Sequence, residues 1–344
     1  MYCNATSVDP ILEHIRLICT KIILPVICWP GIMCNILNII VLTRRSMISS
    51  TNIYLLSVSI MDISYLLSMF CVSLQLYKRV RQSQNLLFAI VWIFSPLTSF
   101  SSNATSWLTV CFTMERLLVV LKPFAIRKWC TVTKAKKVIV LCLSTAFILT
   151  SPEIFSREIK CDFQPDNTVM ICCIRKTSFY NRIQRHGYFK MSAVLFIMIP
   201  LVILAVVNSL LIKYIITAKG KRTNLSIHNS QHSTRLNIDA NSSTFSQQDR
   251  SLINNRLKHS TNVIDQYKTT YLLVIVVVTF CCLQTPSAIN YVIVETRPNR
   301  SISKLIFGNF CNLLLAVSAA MNFILYSFFS QKFRLAFKKT LFKN

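Results

Sequence analysis

Charged residues are scarce in this chain. They make up 15% of its 344 residues, whereas 53% are hydrophobic, and the mean hydropathy is +0.50. Because a soluble protein of this length needs a mixed, largely polar surface, this composition argues against that class. Acidic residues are scarcer still, with 12 against 38 basic residues and a net charge of +26. The basic residues flank apolar stretches, where we expect lipid headgroups and no nucleic acid as their partner.

Several other patterns are also missing. The chain shows no internal repeat and no duplicated half, which many membrane carriers have. Its 14 cysteines do not follow a metal-site spacing, and its five histidines lie outside the apolar stretches. We therefore predict that the protein is not an enzyme and needs no cofactor. The first residues lack the basic start and apolar centre of a cleaved signal peptide, so we expect the first stretch to act as an uncleaved insertion signal.

Seven long apolar stretches make up most of the chain. They cover residues 15–43, 52–77, 86–121, 135–156, 189–216, 270–294 and 305–328. A membrane-spanning helix needs about 20 predominantly apolar residues, so each stretch can cross a bilayer. The sequence therefore predicts an all-α membrane protein, with one seven-transmembrane helix bundle that forms a single domain over residues 1–344.

The positions of Lys and Arg predict the orientation of this bundle. Most of the 38 basic residues fall on one side of the membrane when the N-terminus is placed outside. We therefore expect an extracellular tail over about residues 1–14, which contains the candidate glycosylation site Asn4, and a cytoplasmic C-terminus. The link over residues 217–267 is polar and of low complexity, so we predict a disordered third cytoplasmic loop.

The segment after the last stretch has a helical apolar pattern. Its large apolar residues recur every four positions between Lys and Arg: Phe329, Phe333, Phe337 and Leu341. This pattern predicts an amphipathic helix over about residues 330–342 that lies on the inner leaflet. The alternative is a frayed tail that is bound to lipid by its charge alone.

An acidic residue, Asp62, lies in the middle of the second stretch. An ionised side chain at that depth costs about 2.5–3.5 kcal/mol, so we expect it to face the bundle interior and to serve a function. Polar residues at similar depth could complete a cluster around water or a sodium ion: Asn35, Thr105, Ser318 and Asn322. Two alternatives stay open, a structural hydrogen-bond centre and the ion site of a membrane carrier.

An ordered set of short motifs resembles the rhodopsin-like G-protein-coupled receptors. Glu115-Arg116-Leu117 is similar to their Asp/Glu-Arg-Tyr triplet, and Pro123 follows at the expected offset. Other family positions are matched in the remaining spans by Asn35, Asp62, Pro200, Pro286, Asn322 and Tyr326. Gln284-Thr285-Pro286 and the run Gln331-Lys332-Phe333-Arg334 further resemble invertebrate neuropeptide receptors of the FMRFamide type.

This resemblance implies a bundle with two states. An extracellular ligand would favour the state in which the sixth helix swings outward and admits a heterotrimeric G protein. At rest, Arg116 would be held by Glu115 and by Asp265. The residues assigned to this switch are Glu115, Arg116, Pro123, Pro200, Pro286, Asn322 and Tyr326. A receptor kinase and arrestin would act on the third cytoplasmic loop at the plasma membrane; the alternative is a plain polar linker.

The ligand class can be narrowed by what the matching positions hold. Thr98 stands where amine receptors have an acid, and Ala316 stands where opsins have the lysine that binds retinal. With amines and retinal excluded, a peptide remains as the expected ligand. The net positive charge of the outer side argues against a strongly basic peptide. The expected pocket residues are Gln75, Thr98, Gln284, Asn290, Tyr291, Glu295 and Asn309. Glu295 could pair with an arginine of the peptide or could be a solvated loop acid.

The chain also departs from the family pattern. Val91 stands where the third helix usually has the cysteine that anchors the second outer loop, so that disulfide is not expected. Cys161 could instead pair with Cys172 or with Cys173 in a local hairpin. The positions of the family's fourth-helix and sixth-helix tryptophans hold Cys142 and Gln284.

Overall fold

The computed structural model describes residues 10–121, 130–163, 170–214, 216–217, 274–275, 278–290, 302–329 and 331–341. Within these residues, six helices are long and apolar enough to cross a membrane: Pro10–Leu42, Ser50–Leu76, Gln84–Val119, Val132–Ser156, Tyr188–Tyr214 and Ile302–Met321. We call them the first to fifth spans and the seventh span. The helical residues 278–290 fall in the predicted sixth stretch and are called the sixth span. The last helix of the bundle continues to Phe329.

Several of these helices begin at a hydroxyl residue. Ser49 Oγ accepts a hydrogen bond from the backbone N–H of Asn52, at 3.2 Å, where the second span starts. Ser83 and Thr131 cap the third and fourth spans in the same way. Such caps satisfy N–H groups that have no partner within the helix, and they fix where each helix starts.

The spans pack around one apolar core. Each of the first five spans contributes a buried residue to it, in chain order Val41, Tyr54, Leu108, Ile139 and Leu204. The third span contacts the second, fourth and fifth spans, which makes it the central helix of the described bundle. The helix faces that point away from this core carry many exposed apolar side chains, which suit contact with lipid.

The first span approaches its neighbours most closely at Gly31. A Cβ atom placed on this glycine would lie 2.7 Å from the Cβ of Ala320 and 2.8 Å from a terminal methyl of Leu66. Only a residue without a side chain fits at that separation, since small residues allow membrane helices to pack backbone against backbone. Gly31 therefore joins the first span to both the second and the seventh span.

The tail helix covers Gln331–Leu341, which confirms the helix predicted after the last span. Phe333 is only 2% exposed and packs into the apolar core of the bundle. The ring of Phe337 stacks on it, with the centroids 6.4 Å apart. The tail helix contacts the first span and the turn Arg45–Met47, which joins the first and second spans, so at Phe333 its apolar stripe faces the protein.

A short hairpin follows the fourth span. Strand β1 (Arg157–Phe163) pairs antiparallel with strand β2 (Met170–Lys176), and Cys161 lies directly opposite Cys172. These two cysteines form a disulfide, with their Cα atoms 3.9 Å apart. Cys173 is disulfide-bonded as well. Of the two partners that the sequence left open for Cys161, the structure has Cys172.

Two short helices flank this hairpin in space. The turn helix (Lys78–Arg81) joins the second and third spans, and the loop helix (Ser178–Arg185) joins the hairpin to the fifth span. The predicted glycosylation site Asn4 lies outside the described residues, and so does the third cytoplasmic loop beyond residue 217.

Candidate functional site

Asp62 is buried at the centre of the bundle, with 2% of its surface exposed. The hydroxyl of Thr105, on the third span, donates a hydrogen bond to Asp62 Oδ1 at 3.3 Å. Both residues line a cavity of about 30 Å³, together with Gln284 of the sixth span and Ser318 of the seventh. This volume holds one or two water molecules. Four spans therefore meet at one polar cavity, which brings together Asp62, Thr105 and Ser318.

Asn35 lies beside this cavity and ties the first span to the seventh. Its side-chain Nδ2 donates to the carbonyl oxygen of Ala319 at 2.9 Å and to that of Gly31 at 3.0 Å. The buried amide thus donates hydrogen bonds to the backbone of its own helix and of the seventh helix, next to the close contact at Gly31. Asn322 belongs to the same seventh helix, but its side chain lies outside the described part of the structure.

Two further buried polar residues were not anticipated from the sequence. Asn38 lies one turn after Asn35 and is fully buried, and neither atom of its amide group has a hydrogen-bond partner in the structure. The hydroxyl of Ser59, also fully buried, likewise lacks a partner. An amide or hydroxyl without a partner costs about 1–3 kcal/mol in a protein interior. The only available signal was their polarity inside apolar stretches, which does not show burial.

Near the C-terminal end of the third span, Glu115 contacts the second span. Its Oε1 accepts hydrogen bonds from the hydroxyl of Ser50 at 2.6 Å and from that of Thr51 at 3.1 Å. The sequence predicted instead that Glu115 holds Arg116, but no ion pair joins these two described residues. Neighbouring residues on a helix point in different directions, so Glu115 and Arg116 do not face each other.

Arg116 is half-buried, and its Nε atom makes no hydrogen bond within the described residues. Nearby, burial raises the pKa of the Cys130 thiol, and the negative charge of Glu115 adds to that effect. The second acid predicted to hold Arg116, Asp265, lies outside the described residues, as does Pro123.

Two of the predicted switch residues are prolines within the spans. Pro200 lies two residues after the end of a π-helical segment, Val194–Met198, in the fifth span. Proline has no backbone N–H and cannot complete the helical hydrogen-bond ladder, which explains an irregular turn at this point. Pro286 lies within the helical part of the sixth span. Tyr326 lies in the seventh helix, and its side chain is outside the described part.

The structure describes five of the seven predicted ligand-pocket residues. Gln284 lines the Asp62 cavity, and this position is deeper than the outward pocket expected for it. Thr98 and Asn309 donate hydrogen bonds to carbonyls of their own helices, Phe94 and Leu305, at 2.8 and 2.9 Å.

The remaining pocket residues lie nearer the outer side or outside the described part. Gln75 is half-buried at the outer end of the second span. Asn290 approaches Gly308 between the sixth and seventh spans, and its buried Oδ1 has no hydrogen-bond partner in the structure. Tyr291 and Glu295 lie outside the described residues.

Comparison with known proteins places this geometry in context. The family model of the 7 transmembrane receptor (rhodopsin family) matches residues 34–326. The chain is 25% identical to the thyrotropin-releasing hormone receptor of Gallus gallus, over 93% of this chain and 78% of that protein. The corresponding Homo sapiens receptor is 24% identical, with 93% and 77% covered. The FMRFamide receptor of Drosophila melanogaster is 23% identical, with 98% and 56% covered.

Proposed function

We propose, from the premise that this chain belongs to the rhodopsin family of seven-transmembrane receptors, that it transmits the binding of an extracellular neuropeptide to a heterotrimeric G protein. The main observation in support of a conformational switch is the cavity at Asp62, where four spans meet. The similarity to receptors named for thyrotropin-releasing hormone and FMRFamide supports a peptide as the ligand. Family membership also removes the carrier alternative for Asp62.

The switch would work through the sixth span. Phe280 and Gln284 of this span line the Asp62 cavity, so an outward swing of its cytoplasmic end would change the cavity wall. Pro286 and Pro200 provide the points at which the sixth and fifth spans can bend. At the cytoplasmic end, Arg116 would face the G protein in the active state. Pro123, Asn322 and Tyr326 complete the proposed switch.

A sodium ion is the proposed occupant of the polar cavity in the resting state. The Asp62 carboxylate supplies a negative charge, and the hydroxyls of Thr105 and Ser318 supply neutral oxygens. Hard cations prefer such oxygen ligands. Asn35 would support the site through the backbone of the seventh span, and Asn322 is proposed as a further ligand.

We place the receptor in the plasma membrane as a single domain over residues 1–344, with the N-terminus outside and the C-terminus in the cytoplasm. The third cytoplasmic loop would be phosphorylated by a receptor kinase and would then bind arrestin. Anionic lipids of the inner leaflet would contact the exposed lysines of the tail helix, Lys338 and Lys339. The peptide is expected to reach Gln75, Asn290, Tyr291 and Glu295 from the outer side.

A neuropeptide library tests this proposal. Cells that express the receptor should give a calcium or cyclic-AMP response to at least one peptide, and Arg116→Ala should abolish the response while peptide binding persists. The exposed variant Lys136→Ala, on the fourth span, is a control for surface expression. Full signalling by Arg116→Ala would contradict the switch, and activation only by a non-peptide compound would contradict the ligand class.

A further inference from the structure

The base of the outer hairpin brings two cations directly opposite each other. Arg157 faces Lys176 in the strand register. Directly opposite residues have Cα atoms about 4.5–5.5 Å apart, and like charges in this arrangement are destabilising. The guanidinium of Arg157 donates to Ser95 Oγ at 2.7 Å, and the ammonium of Lys176 lies 3.8 Å from the ring centroid of Tyr180. These neutral partners hold the cations in place without cancelling their charge.

Two acids lie near this pair. The carboxyl of Glu153 interacts electrostatically with Arg157, so it compensates one of the two cations in part. Glu158 faces Arg175 across the two strands, but its carboxylate lies 3.7 Å from the ammonium of Lys160. Arg175 is exposed and makes no ion pair within the described residues. The base of the hairpin therefore has an excess of positive charge on a rigid element, which the Cys161–Cys172 disulfide closes.

The neighbouring helices extend this charge. In the loop helix, Arg182 and Arg185 are exposed three positions apart, so they share one face. The opposite face packs on the protein through Tyr180, whose ring lies 4.9 Å from that of Phe189. The turn helix contacts strand β2 and exposes Lys78 and Arg79. We call these cations of the hairpin base, the loop helix and the turn helix the cationic surface.

The cationic surface borders the outer ends of two spans that we expect to line the ligand pocket. Lys78 lies three residues beyond Gln75, after the extended residue Tyr77 that ends the second span. Ser95, which binds Arg157, lies one turn outside Thr98 on the third span. A ligand that contacted Gln75 and Thr98 would therefore extend across these cations as it left the bundle.

We propose that the cationic surface binds an acidic segment of the peptide ligand, while another part of the peptide enters the bundle. This inference rests on the proposed function and specifies the charge of the ligand. Opposite charge raises the rate of encounter and orients the incoming chain, and salt screens it over about 8 Å at physiological ionic strength. A sulfated glycan offers the same charge, but the position next to the pocket residues favours the peptide.

Binding of defined probes to the full receptor in nanodiscs tests the surface directly. The probe is a short fluorescent peptide of alternating Glu and Ala, and its matched control replaces each Glu by Gln. The variant is Arg175→Gln, Lys176→Gln and Arg182→Gln together. The control variant removes three exposed cytoplasmic charges: Lys136→Gln, Lys338→Gln and Lys339→Gln.

The acidic peptide should bind the wild type and the control variant equally and the outer variant roughly tenfold more weakly. This estimate follows from about 1.5- to 5-fold per exposed charge pair. Equal binding of the Glu and Gln peptides would overturn the proposal. An equal loss of peptide binding in both variants would also overturn it. So would the finding that heparin, but not the acidic peptide, binds through the same three cations.

Agonists found in the neuropeptide library separate this inference from the proposed function. They should be rich in Asp or Glu, and the outer variant should reduce their potency by a similar factor. A neutral or basic peptide agonist that is insensitive to the outer variant would overturn the acidic ligand and leave the peptide receptor standing. Activation only by a non-peptide compound would overturn the proposed function, whatever the acidic probe does.

Discussion

Replacing Gly31 by alanine tests the close contact that supports the Asp62 cavity. The added methyl would lie 2.7 Å from the Cβ of Ala320 and 2.8 Å from Leu66, and also 3.2 Å from the Cα of Ala320. Leu66 is fully buried, and Ala320 can move only with its backbone. Overpacking of this kind destabilises a protein by about 1–3 kcal/mol. In the opposite direction, alanine is about 0.8–1.0 kcal/mol better than glycine within a helix.

Gly308→Ala is the matched control, because it lies in the same kind of helix without the crowding. Its new Cβ would lie 3.5 Å from Asn290 Nδ2, which is an ordinary contact. The gain in helix propensity is common to both variants and cancels when they are compared. Gly31→Ala should therefore be less stable than Gly308→Ala by the overpacking energy alone, about 1–3 kcal/mol.

Thermal unfolding of the receptor in nanodiscs measures this difference. A thiol-reactive dye reports unfolding, since Cys28 and Cys311 are 0% and 1% exposed in the folded bundle. Gly31→Ala should melt below Gly308→Ala, and Gly308→Ala should melt at or above the wild type. If both variants melted at the same temperature, the first span would not pack against the seventh as described.

Three further changes test the site. Ser50→Ala removes the 2.6 Å hydrogen bond to Glu115 and should raise ligand-free second-messenger signalling per surface receptor; unchanged basal signalling would contradict a restraining role. We expect the wild type to unfold at a higher temperature in sodium chloride than in choline chloride, and Asp62→Asn should abolish this difference. If the difference persisted in the variant, the sodium ion would bind elsewhere. Replacing Cys161 and Cys172 together by serine should lower the stability of the hairpin by about 2–4 kcal/mol. Limited proteolysis should then cleave the loop faster, and an unchanged rate would show that the disulfide is dispensable.

The spans could be predicted well because hydrophobicity acts locally along the chain. The third stretch, predicted over residues 86–121, is helical from Gln84 to Leu121. The tail helix, predicted over 330–342, covers Gln331–Leu341. In both cases the apolar pattern alone determines the element, since a lipid-facing or amphipathic helix needs no particular partner to be recognised.

The contacts between spans could not be predicted in the same way. Glu115 binds Ser50, which is 65 residues away, and the neighbouring arginine in the sequence suggested a nearer partner. Gln284 lies in the Asp62 cavity because the sixth span presents it inward at that depth, a rotation that the sequence pattern does not specify. The hairpin was expected only as one consequence of a disulfide at Cys161, and its two strands could not be predicted from the apolar pattern. Two short strands are marginal on their own and depend here on a disulfide and on packing against the bundle.

The outer loop shows how this chain does without a disulfide to its third span. Val91 occupies the position of the cysteine that such a bond would need, and it is buried with 1% exposure. The hairpin is instead closed by its own disulfide and is tied to the third span by the 2.7 Å bond from Arg157 to Ser95. A hydrogen bond with a charged donor contributes at most about 1.5–3 kcal/mol and, unlike a covalent bond, it can open and close reversibly. The same arginine therefore both anchors the loop and belongs to the cationic surface, so an acidic ligand that attracted Arg157 would also loosen the loop from the third span.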